Sequence, residues 1–145
     1  MIKLRCISKP LLVCDGIEGL TKMKRTRILL ADDDLLMLAA TGKLLQADFE
    51  VVAMVSDGSS LVEAALKLQP DVIVTDISMP KMNGIEAVRM IRRTLPGIKL
   101  VFLTMHSASG YRREAQSVGA AGYVLKSSAR EELNRAIRHA IHGCE

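Results

Sequence analysis

Five short apolar runs recur from Arg27 onward: RILLA, EVVAMV, DVIVT, KLVFLT and GYVLK, separated by longer mixed stretches. Each run is apolar on both faces, as a strand covered by helices on either side must be. Between the runs, apolar residues return at helical spacing: Leu61, Ala64, Ala65 and Leu68, then Ile85, Val88, Ile91 and Leu95, then Leu133, Ile137, Ala140 and Ile141. Strand and helix therefore alternate, which predicts an α/β fold with a parallel sheet wrapped by helices.

Helix starts carry their own marks. Ser60 with Glu63, Asn83 with Glu86 and Ser128 with Glu131 each pair an N-cap side chain with a carboxylate three residues on. Asp34 reads as the cap of the first helix rather than as a ligand. The segment SASGYRREAQSVG holds Gly110 and few apolar anchors, so a short, marginal helix is expected there. Residues 1–23 show no convincing period and contain Pro10, Gly16 and Gly19. They are expected to form a poorly ordered extension ahead of one domain over 24–142, with 143–145 as a tail.

Composition narrows the function. Apolar residues make up 49% of the 145, enough for one ordinary core. The 4 aromatic residues, 2 Tyr and 2 Phe, are too few for a base-stacking platform. The formal charge of +4 comes in part from Lys3, Arg5, Lys9 and Lys22 ahead of the domain. The remainder is slight and of mixed sign, which argues against direct DNA binding by this chain. Three cysteines without metal-ligand spacing fit a reducing compartment, and no apolar stretch has membrane length, so a cytoplasmic protein without membrane association is expected.

The chemistry gathers where the runs end. In an open parallel sheet, ligands bind outside the carboxyl ends of the strands, where the strand order reverses. The first run ends in Asp32, Asp33 and Asp34, the third in Asp76, the fourth in Thr104 and the fifth in Lys126. With strand order 2-1-3-4-5, Asp57 after the second run falls outside this crevice and the others converge. Asp32, Asp33 and Asp76 in one crevice repel each other by about 1 kcal/mol per pair at 4 Å in water, and by more in a drier site. A hard divalent cation relieves that repulsion. Oxygen-only ligands with room for water suit Mg²⁺ better than zinc.

ADD after the first run, DISMPKMNG after the third, a Thr closing the fourth and YVLK on the fifth together resemble the receiver domain of two-component response regulators. RILLADDD and LTMH are most similar to receivers that precede a LuxR-type DNA-binding domain. The resemblance implies a doubly wound five-stranded parallel sheet, (βα)5 and flavodoxin-like (CheY-like), in the order 2-1-3-4-5. It makes Asp76 the acceptor of a phosphoryl group from a sensor histidine kinase or a small phosphodonor, with Lys126 and Thr104 beside it. Mg²⁺ would be bound by Asp33 and Asp76 directly, by Asp32 through water, and by the backbone carbonyl of Ser78.

Thr104 and Tyr123 would be the switch, read out on the face formed by the Ser107–Gly119 helix, the last strand and the last helix. The resemblance further implies a regulatory domain that assists only its own phosphorylation and dephosphorylation, a phosphorylation-linked homodimer, and transcriptional output through an effector outside this chain. Lys126 is followed by Ser127 where the family often has Pro, which leaves open the isomer of that bond. Ser78 and His106 stand where side chains tune the lifetime of the acyl phosphate.

Other readings are weaker. A Mg²⁺-dependent phosphohydrolase with an Asp nucleophile needs a second acid two residues on, and position 78 is Ser. A flavin or nucleotide carrier would not place three carboxylates where a phosphate must sit. Arg89, Arg92 and Arg93 read as one exposed helix face. His139 and His142 read as residues that favour a helix end. Tyr123 also has the plain reading of a packed aromatic.

Overall fold

The computed structural model describes residues 24–105, 107 and 109–143. The expected extension over 1–23 and His106 therefore lie outside the described residues, as do 144–145 of the expected tail. The described elements alternate: β1 (Arg27–Ala31), α1 (Leu35–Gln46), β2 (Glu50–Val55), α2 (Gly58–Leu68), β3 (Val72–Thr75), α3 (Gly84–Thr94), β4 (Lys99–Thr104), α4 (Ser109–Ser117), β5 (Gly122–Leu125) and α5 (Ala129–His142). A 3-10 turn over Lys126–Ser128 precedes α5. The strands are all parallel, in the order β2-β1-β3-β4-β5. Among the described residues no helix is long and apolar enough to cross a membrane.

Alternation along each strand divides the core between the two faces of the sheet. Leu29, Ile73, Leu100 and Phe102 point to one side, where Leu61 and Ala65 of α2, Val88 and Ile91 of α3 and Ala115 of α4 meet them. Ile28, Leu30, Val72, Val74, Val101 and Leu103 point to the other, against Leu38 and Leu45 of α1 and Leu133 and Ile137 of α5. Full burial of one such side chain stabilises by about 2 kcal/mol. Both faces are covered, so the strands had to be apolar throughout.

The helix starts differ from expectation in two places. Asn83 and Glu86 form the expected reciprocal capping box, and Asp34 Oδ1 accepts from the amides of Leu36 and Met37. Helix α2, however, begins at Gly58 and is capped by Asp57, whose Oδ1 accepts from Ser60 N at 2.7 Å. The Asp57 carboxylate reaches the free amides before the Ser60 hydroxyl, which instead donates to Asp57 at 3.2 Å. Ser128 makes no side-chain cap, because the 3-10 turn leaves it at φ −112° and ψ 10° rather than in the extended conformation a capping residue uses.

Helix C-termini gather at the opposite end of the sheet, and three arginines meet them. Arg25 donates to the carbonyls of Gln46 and Ala47 behind α1, and Arg27 to those of Leu68 and Gln69 behind α2. Arg92 donates to Val118 O at 2.6 Å, Gly119 O at 3.0 Å and Pro96 O at 2.9 Å. Arg92 is thus half-buried and anchors the end of α4, while Arg89 and Arg93 stay exposed. The reading of one exposed arginine face is corrected by that anchor. Charge-assisted bonds to helix-terminal carbonyls are strong, so Arg92→Ala should destabilise by about 2 kcal/mol in urea unfolding. An unchanged midpoint with unchanged slope would contradict the anchoring role.

Candidate functional site

β1 and β3 end level, with Ala31 opposite Thr75. Backbone pairing continues one residue further: Asp76 N donates to Ala31 O at 3.0 Å and Asp32 N to Val55 O at 3.1 Å. Asp32 and Asp76 therefore leave the sheet side by side. Their exposures are only 3% and 6%, which makes them the two buried carboxylates among the described residues. On the far side of β3, Thr104 pairs with Leu125, and Lys126 is the next residue. Its side chain reaches back past the end of β4.

The reach ends in a two-way bridge. Lys126 Nζ lies 2.8 Å from Asp32 Oδ2, 3.0 Å from Asp32 Oδ1 and 2.9 Å from Asp76 Oδ2. Asp32 Oδ1 also accepts from Asp34 N at 2.9 Å, and Asp76 Oδ1 accepts from Ile77 N at 2.7 Å. Burial raises the Asp32 pKa, and the neighbouring Asp76 charge adds to the rise, against the lowering by Lys126 and the Asp34 amide. Burial alone would lower the pKa of Lys126, but its hydrogen bonds to Asp32 and Asp76 win and the net shift is upward. Both directions follow from one imbalance: a single ammonium serves two buried carboxylates, so it holds its proton firmly while Asp32 remains costly to ionise.

Carboxylate oxygens of Asp32, Asp33 and Asp76 all lie within 4.8 Å of one another, with Asp33 exposed at the mouth. Hard oxygen donors, few in number and open to water on one side, fit Mg²⁺. The orphaned charge fits too, since one lysine leaves the cluster net negative.

The loop after Asp76 is folded tightly against it. Gly84 N donates to Ile77 O at 2.7 Å, and a Cβ at Gly84 would sit 3.1 Å from the carbonyl carbon of Asp76 and collide with its oxygen. Only glycine allows α3 to start so close behind the carboxylate. The stretch DISMPKMNG thus turns away at once and leaves the Asp76 side chain facing the crevice.

Of the residues expected at the site, Asp32, Asp33, Asp76 and Lys126 come together. Thr104 is fully buried at the end of β4, on the same edge of the sheet. Ser78 is exposed on the loop two residues past Asp76. Tyr123 is half-buried and packs against the core on the α2–α4 side, and burial raises its pKa. Asp57 lies outside the cluster, as expected. No peptide bond among the described residues is cis, so the bond before Ser127 is trans. His139 and His142 are exposed on the last turn of α5.

Besides the Arg92 anchor, two further contacts are not legible in the sequence. The Arg112 guanidinium lies 4.4 Å over the Tyr123 ring, and Lys81 Nζ lies 3.8 Å from Asp57 Oδ2. Neither has a signal in the sequence, because each joins separate elements through the fold alone.

The response regulator receiver domain family matches residues 28–138, which include every acid of this cluster and Lys126. The chain belongs to that family. Among relatives of this receiver, the transcriptional regulatory protein DesR of Bacillus subtilis (strain 168) is 40% identical over 118 residues, covering 80% of this chain. The chain spans only 58% of DesR's own length. A crystal structure of a DNA-binding response regulator of the LuxR family from Staphylococcus aureus is similar with a TM-score of 0.76 at 30% identity, over 80% of this chain and 98% of that one. The isolated REC domain of RcsB from Salmonella enterica serovar Typhimurium, solved with the phosphomimetic BeF3-, is similar with a TM-score of 0.76 at 27% identity, over 84% of the receiver and 92% of that chain. Homologues of this receiver are thus LuxR-type response regulators, and its sheet order is that of CheY-like receivers.

Proposed function

We propose that this receiver is a phosphoacceptor module in which Asp76 takes a phosphoryl group with the help of Mg²⁺. The observation that carries the reading is the bridge from Lys126 Nζ to both Asp32 and Asp76. An ammonium fixed at that spot is already placed for the oxygens of an incoming phosphoryl group, without reorganisation at the moment of transfer.

In the transfer, a carboxylate oxygen of Asp76 forms a bond to phosphorus as the bond to the donor breaks, and the leaving imidazole of a phosphohistidine regains a proton. Lys126 balances charge on one phosphoryl oxygen, and Thr104 donates its hydroxyl to another. Asp33, Asp76, Asp32 through water and the Ser78 carbonyl would hold Mg²⁺, which supplies neutralisation of the remaining oxygen charge. The chain thereby assists its own phosphorylation and dephosphorylation and acts on no separate substrate.

The receiver is proposed to act in the cytoplasm, with a sensor histidine kinase as its donor. Leu35 and Leu36, which follow the first acids in sequence, and Met105, which follows Thr104, are each far more exposed than such side chains usually are and offer it apolar surface to dock on. Movement of Thr104 toward the phosphoryl group, followed by Tyr123, would change the α4-β5-α5 face. That change would favour a homodimer and pass the signal to a DNA-binding effector, so that the output is control of transcription. A phosphohydrolase reading gains no support, because Ser78 cannot supply the second acid.

The direct test is intact mass after incubation with acetyl phosphate. One added phosphoryl group is expected with Mg²⁺ present and none after chelation. Equal labelling in both samples would count against metal-assisted transfer.

A further inference from the structure

The loop between β3 and α3 is held at its base by Gly84, but its outer limb leans on the turn between β2 and α2. Pro80 O accepts from Met82 N at 2.7 Å and from Gly58 N at 3.5 Å. The first bond spans two residues, and Lys81 between them has φ of 70°. A hydrogen bond of that span about a residue of positive φ is the rare, strained form of the γ-turn. A non-glycine residue stays in such a conformation only where its surroundings over-determine it.

The surroundings are Asp57 and Gly58. A Cβ at Gly58 would lie 2.6 Å from the carbonyl carbon and from the Cβ of Met82, and closer still to Met82 O. Backbone would meet backbone there, with no flexible side-chain tip to yield. Gly58 does not have a left-handed φ, so glycine is required at this position for space and not for conformation. The ion pair of Asp57 with Lys81 points the same way, though Lys81 is 68% exposed and the pair adds little.

We propose that the Asp57-Gly58 turn is a positioning element for the phosphoacceptor loop. By closing on Pro80, Lys81 and Met82 it keeps the strained turn formed, and so fixes where the backbone from Asp76 to Ser78 stands relative to the three carboxylates. The inference rests on the Mg²⁺-assisted reading above. It adds a residue that touches neither metal nor phosphoryl group and comes from the outermost strand's own turn.

Three variants test it: Gly58→Ala, Lys81→Pro and, as a control, Gly97→Ala, where a Cβ meets nothing within 4 Å. Proline holds φ near −65° and so abolishes the turn in an exposed loop without touching the core. Two readouts are taken by NMR: amide exchange of Ile77 and Gly84 in metal-free protein, and the Mg²⁺ concentration that half-saturates the amide shifts of the loop. Gly58→Ala and Lys81→Pro should each speed that exchange about tenfold and raise the Mg²⁺ requirement about tenfold, with the Leu29 and Leu133 amides and the control unchanged.

Unchanged exchange at Ile77 and Gly84 would overturn the proposal. Faster exchange with unchanged Mg²⁺ demand would overturn it as well, since the turn would then be structural only. Should Gly58→Ala fail to fold, Lys81→Pro gives both readouts. A wild-type chain that shows no Mg²⁺ response would strike the functional reading instead, and the exchange comparison would still decide whether the turn holds the loop.

Discussion

Asp76→Asn should take no phosphoryl group from acetyl phosphate and yet be at least as stable as the parent. The two outcomes have opposite signs for one reason. Asparagine keeps an oxygen for the Ile77 amide, now at 2.7 Å from Asp76 Oδ1, so the start of the loop keeps its hydrogen bond. It removes a buried negative charge that competes with Asp32 for Lys126, and without that competitor Asp32 ionises more readily. The nucleophile is gone altogether, so labelling should vanish rather than slow. Intact mass and urea unfolding on one preparation check both halves. A variant that loses labelling together with several kcal/mol of stability would show that Asp76 serves the fold.

Lys126→Met should slow phosphorylation by about a hundredfold, the usual loss when a prepositioned charge donor is removed from a developing anion. Its effect on stability should depend on the metal. With Lys126 gone, Asp32 and Asp76 are left without their cation, and breaking a buried pair in this way costs about 3 kcal/mol. A divalent ion supplies the missing positive charge, so added Mg²⁺ should restore most of that loss, and the variant should gain more stability from Mg²⁺ than the parent does. Urea midpoints of both proteins with Mg²⁺ and with chelator measure the difference. Equal Mg²⁺ effects in the two would mean that lysine and metal do not share the same carboxylates.

Much of this was legible in the sequence, for definite physical reasons. Strands buried on both faces must be apolar at every position, so RILLA and DVIVT announced themselves and their ends named Asp32 and Asp76. The Asn83–Glu86 box was legible because a capping box is local, complete within four residues. Ser60 misled because Asp57, three residues earlier, is the stronger acceptor, and only the actual path of the chain decides which side chain reaches the free amides first.

Arg92 was misread for a related reason. Periodicity places it beside Arg89 and Arg93 on a helix face, but the carbonyls of Val118 and Gly119 that it meets come from a segment 26 residues away. The same holds for Lys81, whose backbone conformation and partner Asp57 are products of tertiary contact. Lys126 was found only through its position at the end of a strand. Its bridge to two carboxylates is a property of strand register, which no local pattern records.

The central claim is that a phosphoryl group is received at one carboxylate, Asp76. Treating the receiver with acetyl phosphate and Mg²⁺, reducing it with borohydride and mapping the peptides by tandem mass spectrometry tests it most directly, because an aspartyl phosphate is converted to homoserine at the labelled position. Homoserine at residue 76, absent when the metal is chelated, is the predicted result; homoserine at Asp32, Asp33 or another acid, with residue 76 intact, would contradict the account.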